Sequence, residues 1–534
     1  MRTSKVAALI ERLTPLWIPL LYAAVLLLVS PLHDTFEEWD GVVQLLAGRE
    51  IFSGLGYAGL AAHRWPPLFA LLSGLGSQIM PGFEAAKLVS GLAGVILLYV
   101  AHGLAKELSG SKKVALLAQG FLVVNPWYAI LSLQAENHML DSLFFVSSLT
   151  LFLKALRSPA GKRWVIAGLF AGLAGLSRYT SYTLLPIFVI ALFLFLDTRQ
   201  AVKATFMLII PFALVNLPWW IANAVANGSP FANALYLNTG WNVIANGDYR
   251  WWWDTHTAYS GIADIFAANP RGYILNAASN IYASGKMLLT TAGALALFVI
   301  PAAFDAVISL KPRHWVVLFG GLLLYTLVVS QAIVFHEVFL NWVVVFCILS
   351  VMFLHKYIAQ VAQTYPVLGK RRFGMLVIST LLLAGLALTS WRVYGYIKWD
   401  DYDNGQMADY RAITAVLKER DPDIARKYVM SVNPSRAYYL GSAYLPPPLY
   451  YEDSVEGLVA YRGIKLDVEM LNLRFPSGTP LETARADYLI YDAGLRSHLP
   501  QFAFLLTPAS EQIPGNFRLV YHSKDAVVYE ILWQ

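Results

Sequence analysis

Four acidic side chains crowd one short stretch that follows an apolar run at residues 16–29. Asp34, Glu37, Glu38 and Asp40 fall within seven residues. Carboxylates three or four residues apart share one face of a helix, and their mutual repulsion raises the pKa of one of them. A carboxylate in that state can accept a proton from a substrate or bind a metal ion. The stretch therefore predicts a general base or a metal ligand, and Asp34 is the candidate.

The same stretch is also typical of an amphipathic helix on a membrane surface. Phe36, Trp39, Val43 and Leu46 would form its apolar stripe, with acidic residues on the wet face. Asp34 stands at the start of this pattern, where a carboxylate can accept hydrogen bonds from exposed helix N–H groups and still face a cleft. Catalysis and plain helix capping both remain open for Asp34.

A second polar pair lies in the segment NPWYAILSLQAENHMLDS, at the mouth of a later helix. Glu136 and His138 are two residues apart, and both could reach one divalent ion if the turn between them is extended. Asp34 would supply the third ligand of such a magnesium or manganese site. A capped helix start explains the E-x-H pattern nearly as well.

Basic and polar residues in other segments are candidates for binding an anionic substrate. Arg64 precedes Trp-Pro-Pro, and Arg178 follows the apolar segment GLAGLS. The planar guanidinium of arginine suits a pair of phosphate oxygens, although arginine at a membrane interface is often only an anchor. His336 and Glu337 lie within an otherwise apolar segment, where ionisable residues are rarely idle. We expect His336 to donate a hydrogen bond to a phosphate or to act as a ligand.

The composition is that of a polytopic membrane protein. The chain has 534 residues, of which 57% are hydrophobic and only 14% are charged, whereas about a quarter of the residues in soluble domains are charged. Its single cysteine, Cys347, excludes an intrachain disulfide. Any domain outside the membrane must therefore be held together by packing.

Apolar runs long enough to cross a bilayer, taken with their flanks, predict about eleven spans. These runs cover residues 16–29, 85–104, 114–131, 140–156, 164–176, 183–196, 206–222, 287–308, 315–333, 341–353 and 375–391. The apolar segment 67–79 is shorter, and we expect it to dip into the bilayer surface rather than cross it.

The distribution of lysine and arginine predicts how the chain is oriented. Basic residues crowd the loops on one side of the predicted bundle, for example Lys112 and Arg371, and such loops are cytoplasmic. The N-terminus is therefore expected in the cytoplasm, and the first span is expected to stay uncleaved because no A-x-A pattern precedes Pro31. The acid-rich stretch and everything after Trp391 are expected outside.

The last part of the chain is richer in charge and lacks a spanning run. Turn signals separate a predicted helix at 409–419 from predicted strands at 428–432, 488–491, 517–521 and 526–532. The predicted fold class is thus mainly α, a membrane helix bundle with a C-terminal extracytoplasmic α/β domain. We expect a transmembrane catalytic domain at 1–394 and the α/β domain at 395–534.

Motifs for soluble nucleotides are weak or missing in the sequence. The run Gly54–Gly59 satisfies G-x-G-x-x-G, but no strand precedes it and no βαβ unit surrounds it. The sequence has no Walker motif, no G-x-S-x-G and no H-E-x-x-H. Nucleotide chemistry is therefore not indicated, and no nucleic-acid partner is predicted.

The pattern of short motifs resembles the GT-C superfamily of membrane glycosyltransferases, which take sugars from polyprenyl phosphates. Its first loop resembles that of the protein mannosyltransferase, aminoarabinose transferase and rhizobial lipopolysaccharide sugar transferase relatives. The matching residues are Asp34, the segment LLAGR at 45–49 and the segment RWPPL at 64–68, followed by Asn125-Pro126, Glu136, the segment GLAGLSR at 172–178 and His336-Glu337. The likeness covers roughly residues 10 to 390.

The resemblance implies an inverting sugar transfer on the outer face of the membrane. Asp34 would deprotonate the acceptor hydroxyl of a glycan, lipid or protein, and Arg178, His336 or Arg64 would hold the lipid phosphate that leaves. Many relatives carry a second acidic residue where Thr35 stands here, and some bind the donor phosphate through a late Lys or Arg where this chain has His336. The resemblance therefore leaves metal dependence open.

A transporter or flippase for lipid-linked or anionic solutes is the alternative class of function. Such a protein carries ionisable residues or Gly/Pro breaks near the middle of several spans. The centres of the predicted spans hold few charges, so the sequence favours the transferase.

Overall fold

The computed structural model describes residues 2–33, 39–52, 65–233, 235–252, 255–332, 335–365, 370–397, 406–462 and 485–533. Two candidate site residues, Asp34 and Arg64, lie outside these ranges, as do Phe36, Glu37 and Glu38 of the acid-rich stretch. The remaining candidate residues are all described.

The described residues up to 397 lie mostly in helices. The α-helices are α1 (Arg2–Val29), α2 (Trp39–Phe52), α3 (Leu68–Gly76), α4 (Gly82–Ser109), α5 (Lys112–Val123), α6 (Pro126–Leu133), α7 (His138–Arg157), α8 (Gly161–Ser177), α9 (Leu184–Phe195), α10 (Thr198–Asn227), α11 (Leu235–Val243), α12 (Ile262–Ala268), α13 (Pro270–Thr291), α14 (Ala296–Ser309), α15 (Pro312–Val329), α16 (Leu340–Thr364) and α17 (Lys370–Ile397). Short 3₁₀ turns connect several of them, including Ser30–Leu32, Tyr179–Thr183 and His336–Phe339.

Within the described ranges, 7 helices are long and apolar enough to cross a membrane, or up to 9 if two bent pairs each count as one span. The apolar runs predicted from the sequence all fall on these or on shorter helices. One bend, of 63°, separates α5 from α6, where Pro126 lacks the N–H needed to continue the helix. The other bend, of 108°, follows α13, where Gly293 adopts a positive φ. The number of crossings stays a prediction.

Glycines bring two helices of the bundle into close contact. A Cβ atom at Gly168 of α8 would lie 2.1 Å from the carbonyl oxygen of Leu208 on α10. One turn later, a Cβ atom at Gly172 would lie 3.1 Å from the carbonyl oxygen of Phe212. Small residues allow helix backbones to approach in this way in membrane proteins. The contact fixes the end of α8, from which Arg178 projects.

The C-terminal part contains a mixed five-stranded sheet with α18 (Gln406–Arg420), α19 (Ser435–Leu440), α20 (Val455–Ala460) and α21 (Ala493–His498) around it. The strands are β1 (Tyr428–Met430), β2 (Ala443–Leu445), β3 (Tyr488–Tyr491), β4 (Phe517–His522) and β5 (Val527–Ile531), in the order β2-β1-β3-β5-β4. β1 is parallel to β2 and β3, whereas β5 is antiparallel to β3 and β4. The predicted helix and strands are found, and β2 is an additional strand. The boundary at residue 395 stays a prediction.

Helix α2 lies where three hydrophobic cores meet. Val42 and Leu45 pack in the core of the helix bundle, and Ala47 packs with Trp219 of α10. Val43 instead belongs to the core of the C-terminal sheet domain. The apolar residues of the helix therefore pack in three directions, and it is not the amphipathic surface helix that the sequence pattern also allowed. Its central position makes α2 a rigid support for Asp40 in its first turn.

Candidate functional site

The segment before α7 is held in place by two buried side-chain hydrogen bonds. The hydroxyl of Ser90 on α4 donates to the carbonyl oxygen of Glu136 at 2.8 Å. The amide of Asn137 donates to the carbonyl oxygen of Ser177, at the end of α8, also at 2.8 Å. These bonds fix the backbone between two neighbouring helices. The side chains of Glu136 and His138 are therefore presented from a rigid turn.

Glu136, His138 and Arg178 form a continuous chain of polar contacts. Oε2 of Glu136 lies 2.6 Å from Nε2 of His138, and Nη1 of Arg178 lies 2.6 Å from Nδ1 of the same ring. Because a guanidinium can only donate, Nδ1 of the neutral imidazole is the acceptor, and Nε2 carries the hydrogen that it donates to Glu136. The arrangement holds a carboxylate and a guanidinium at opposite edges of one imidazole ring.

Asp40 joins this cluster from α2. Its side chain is exposed to water, but the protein around it removes part of the hydration that a free carboxylate has. This desolvation is the largest cause that raises the pKa of Asp40 to about 7. The negative charges of Glu136 and Glu337 raise it further, while His138 and Arg178 lower it. Asp40 thus lies within electrostatic range of the residues predicted from the sequence.

Burial also raises the pKa of Glu136 to about 7, with a further increase from the charge of Glu337 and a decrease from Arg178. Carboxyl groups with such pKa values are half protonated near neutral pH, where a group can both accept and release protons. Two of them in one cluster share their proton equilibria, so the pH response belongs to the pair. The cluster is therefore suited to proton transfer.

The buried carboxylate of Asp141 lies next to this cluster. Oδ1 of Asp141, on the first turn of α7, accepts a hydrogen bond from the hydroxyl of Ser181 at 2.5 Å. The charge of Arg178 also acts on Asp141, so a buried negative charge has a positive neighbour, as buried charges require. Asp141 thereby links α7 to the 3₁₀ turn that follows Arg178.

His336 stands at another part of the same end of the bundle. Its ring stacks on the indole of Trp127, with ring centroids 4.6 Å apart and planes 9° apart. Asn125 fixes the turn with Trp127, because its side chain accepts from the N–H of Tyr128 and donates to the carbonyl of Thr291. His336 is half-buried and is directly followed by Glu337, whose charge acts on Asp40 and Glu136.

Two further cations act on His336. Lys286 of α13 and Arg392 of α17 both lie within electrostatic range of its ring, and both are exposed. The hydroxyl of Tyr325 stabilises the turn at His336 by donating a hydrogen bond to the carbonyl oxygen of Val338 at 2.5 Å. Lys286 and Arg392 therefore bring positive charge close to His336, beside the acidic cluster.

The described residues do not form a metal site. Among them, no group of three His, Cys, Asp or Glu side chains could hold a metal ion. Both nitrogens of His138 are engaged, one by Glu136 and one by Arg178, which leaves no lone pair for a cation. Asp34, the third residue of the predicted set with Glu136 and His138, lies outside the described ranges. Metal binding by this set stays a prediction.

The structure brings together Glu136, His138, Arg178 and Glu337, with His336 beside Glu337. In the sequence, Asp40 belonged to the acid-rich stretch but Asp34 was the candidate there, and Asp141, Lys286 and Arg392 were not predicted. Asp141 could have been found as an ionisable residue inside an apolar run. Nothing local in the sequence distinguishes the two exposed cations, since they come from helices far apart in the chain.

Part of the chain matches a known protein family. Residues 64–221 match the model of the dolichyl-phosphate-mannose-protein mannosyltransferase family. That region includes α3 to α9 and most of α10, and with them Glu136, His138 and Arg178. A comparison of the sequence with curated proteins gives no match.

Comparison with solved structures gives matches over almost the whole chain. ArnT from Cupriavidus metallidurans bound to undecaprenyl phosphate matches with a TM-score of 0.59 at 13% identity, covering 96% of this chain and 97% of that chain. The oligosaccharyltransferase AglB from Archaeoglobus fulgidus, in complex with an inhibitory peptide and a dolichol-phosphate, matches with a TM-score of 0.53 at 14% identity. This second match covers 90% of this chain and 70% of that chain. At these identities the similarity defines the fold.

Proposed function

We propose that this chain, which has the fold of the GT-C superfamily of membrane glycosyltransferases, transfers a sugar from a polyprenyl-phosphate donor to an acceptor hydroxyl. The observation that carries the proposal is the convergence of carboxylates and cations at one end of a membrane helix bundle. Asp40, Glu136 and Glu337 interact electrostatically with one another, and Arg178 lies among them. Sugar transfer from a lipid phosphate needs both kinds of group in one place.

The fold and the surroundings of the site support the proposed donor class. One structural neighbour is bound to undecaprenyl phosphate and another to a dolichol-phosphate. In this chain, exposed apolar side chains cover the outside of α1, α10 and α17, as expected for helices in contact with lipid. A donor on a lipid carrier would therefore reach the site along the membrane, and it needs no nucleotide pocket.

In the proposed reaction, Asp34 is the general base. Its carboxylate takes the proton of the acceptor hydroxyl, and the oxygen attacks the anomeric carbon of the donor sugar as the bond from that carbon to the phosphate oxygen breaks. The electron pair of that bond leaves with the polyprenyl phosphate. Attack from the side opposite the leaving group inverts the anomeric configuration. Asp40 and Glu136, whose pKa values lie at about 7, would relay the proton away.

The leaving phosphate gains negative charge as the bond breaks and needs positive groups in place. Arg178 and His336, together with Arg64, were the candidates in the sequence, and Lys286 and Arg392 add positive charge beside His336. Glu337 would orient the phosphate-binding turn by its position between His336 and the acidic cluster. These assignments require no residue of the C-terminal domain to contact the donor.

The proposed location is a cell membrane, with the N-terminus in the cytoplasm and the C-terminal domain outside. The basic-residue asymmetry of the loops supports this orientation. It places the cluster on the side where lipid-linked sugars would meet a glycan, lipid or protein acceptor.

Reconstituted vesicles test the proposal against the transporter alternative. The purified chain is supplied with a radiolabelled polyprenyl-phosphate sugar and a membrane extract as the acceptor source. Transfer of label to a product that no longer carries the lipid phosphate supports the transferase. Movement of the labelled donor across the vesicle membrane without a covalent product contradicts the transferase and supports a flippase.

A further inference from the structure

A buried lysine on α4 holds the backbone that leads into the acid-rich stretch. The ammonium of Lys87 donates to the carbonyl oxygen of His33 at 2.7 Å and to that of Ser30 at 3.1 Å. Its third partner is Oε1 of Glu84, at 2.9 Å. A lysine ammonium has three N–H donors, so all of its donor capacity is used here. Two of the three partners are main-chain atoms at the end of the first span.

The anchor is rigid on several sides. The side chain of Lys87 is 2% exposed, and its ammonium lies 4.4 Å from the ring centroid of Phe83. The same Phe83 ring contacts the ring of His33 edge-on at 5.5 Å, and Tyr396 of α17 packs against His33 from another side at 4.7 Å. The last residue before Asp34 is therefore fixed through both its main chain and its side chain.

The other end of the short segment is fixed as well. Residue 39 begins α2, which is buried among three hydrophobic cores. The described residues on either side of 34–38 are therefore well held, and the main chain of His33 is bound by the ammonium of Lys87. A displacement of about 1 Å in a reacting group can lower a rate by about 10²-fold. A shift of His33 is therefore expected to lower the rate of sugar transfer.

We propose that Lys87 is a positioning residue, which fixes the carbonyls of Ser30 and His33 and thereby sets where the segment with Asp34 begins. The proposal rests on the proposed function, since it assigns a role in the placement of the general base. The competing explanation is local: a cation at the end of a short helix satisfies free carbonyls and stabilises the fold. That explanation predicts loss of stability without loss of rate per folded molecule.

The test uses full-length protein in detergent with three variants. Lys87→Met keeps the side-chain volume and removes all three donors. Glu84→Gln is the matched control, because it removes the ion pair and leaves both bonds to the carbonyls. Lys87→Arg keeps the charge but presents donors in a wider planar geometry. Transfer rates are normalised to the monodisperse fraction, and hydrogen exchange is followed in peptides covering residues 30–33 and 39–44.

The proposal predicts a kcat for Lys87→Met about 10²-fold lower than for the wild type, with the KM for the lipid donor changed by less than about threefold. Glu84→Gln is expected to keep its kcat within about twofold. Amide exchange at residues 30–33 is expected to become faster in Lys87→Met and to stay unchanged in Glu84→Gln. If Lys87→Met does not fold, Lys87→Arg is expected to show a kcat about tenfold lower at an unchanged melting temperature.

The proposal is overturned if the folded lysine variants transfer sugar at the wild-type rate, or if Glu84→Gln loses as much activity as Lys87→Met. Failure of the proposed function is a different result, since the wild-type protein would then transfer no sugar. In that case the exchange rates at residues 30–33 still decide whether Lys87 holds the backbone.

Discussion

Asp40 and Val43 lie three residues apart on α2 and serve different parts of the molecule. Asp40 lies within electrostatic range of the charged cluster of the helix bundle, while Val43 is buried in the hydrophobic core of the C-terminal sheet domain. The C-terminal domain therefore supports a helix of the candidate site directly. Any loosening of that contact would move α2 relative to Glu136 and Arg178.

The contact of Val43 predicts that the C-terminal domain is needed for activity. Val43→Ala is expected to lower the unfolding free energy by about 2 kcal/mol, to lower kcat several-fold and to expose the chain between the bundle and the sheet domain to protease. Val42→Ala is the matched control, because Val42 is also buried but packs in the bundle core. Equal protease sensitivity and equal kcat in the two variants would rule out this role for Val43.

Removal of Arg178 is predicted to abolish most of the activity. The Arg178→Met variant leaves Nδ1 of His138 without its donor and removes positive charge from the acidic cluster. We expect the transfer rate to fall by about 10²- to 10³-fold, the usual effect of losing a group that stabilises developing charge. Arg199→Met, at an exposed arginine on α10, is expected to behave as the wild type. A rate for Arg178→Met within tenfold of the wild type would contradict the assignment.

The raised pKa of Asp40 predicts a stability that falls as the pH rises. The folded state binds the proton of Asp40 more tightly than the unfolded chain, because the pKa goes from 3.8 to about 7 on folding. The stabilising contribution of this group is therefore complete below pH 4 and is lost as the pH rises through about 7. Because the side chain is exposed to water, the effect is smaller than for a fully buried carboxyl.

Melting temperatures at several pH values check this prediction. Asp40→Asn is expected to melt at a higher temperature than the wild type at pH 8, and the difference is expected to disappear at pH 4. Asp453→Asn, at an exposed carboxylate of the C-terminal domain, provides the control and should leave the pH dependence unchanged. The predicted direction would be contradicted if the melting temperature of the wild type rose between pH 4 and pH 8 while that of Asp40→Asn did not.

The stacked pair of Trp127 and His336 predicts an effect on donor binding. Trp127→Ala removes a face-to-face contact worth about 0.5–1.5 kcal/mol and frees the His336 ring to rotate. We expect the KM for the lipid donor to rise by up to about tenfold, whereas Trp127→Phe should retain most of the affinity. Trp17→Ala, at an exposed tryptophan of α1, serves as the control. An unchanged KM in Trp127→Ala would show that the stacking does not position His336 for the donor.

Much of the fold could be predicted because the membrane restricts the sequence. Lipid-facing sides of a helix must be apolar, so long apolar runs fall on helices, as the runs at 85–104 and 140–156 do within α4 and α7. The resemblance based on short motifs is confirmed at the level of the fold. The strand at Ala443–Leu445 was missed because its three residues, directly before Pro446, carry too little pattern.

The candidate site could be predicted only in part. Glu136, His138 and Arg178 were found because polar residues at the ends of apolar runs are conspicuous. The bond of Lys87 to His33 joins residues 54 positions apart, and no local pattern encodes such a contact. The pattern of α2 was misleading, since its apolar residues are distributed to three separate cores rather than to one stripe. Tertiary packing decides these features.

The most direct measurement of the central claim compares Asp34→Asn and Asp34→Glu with the wild type in sugar transfer and in binding of undecaprenyl phosphate. Each variant must elute as a folded, monodisperse protein before its rate is compared. If Asp34 is the general base, Asp34→Asn binds the lipid phosphate as tightly as the wild type but transfers sugar at least about 10²-fold more slowly. Asp34→Glu is expected to recover part of the rate. Near-normal transfer by folded Asp34→Asn would contradict the account.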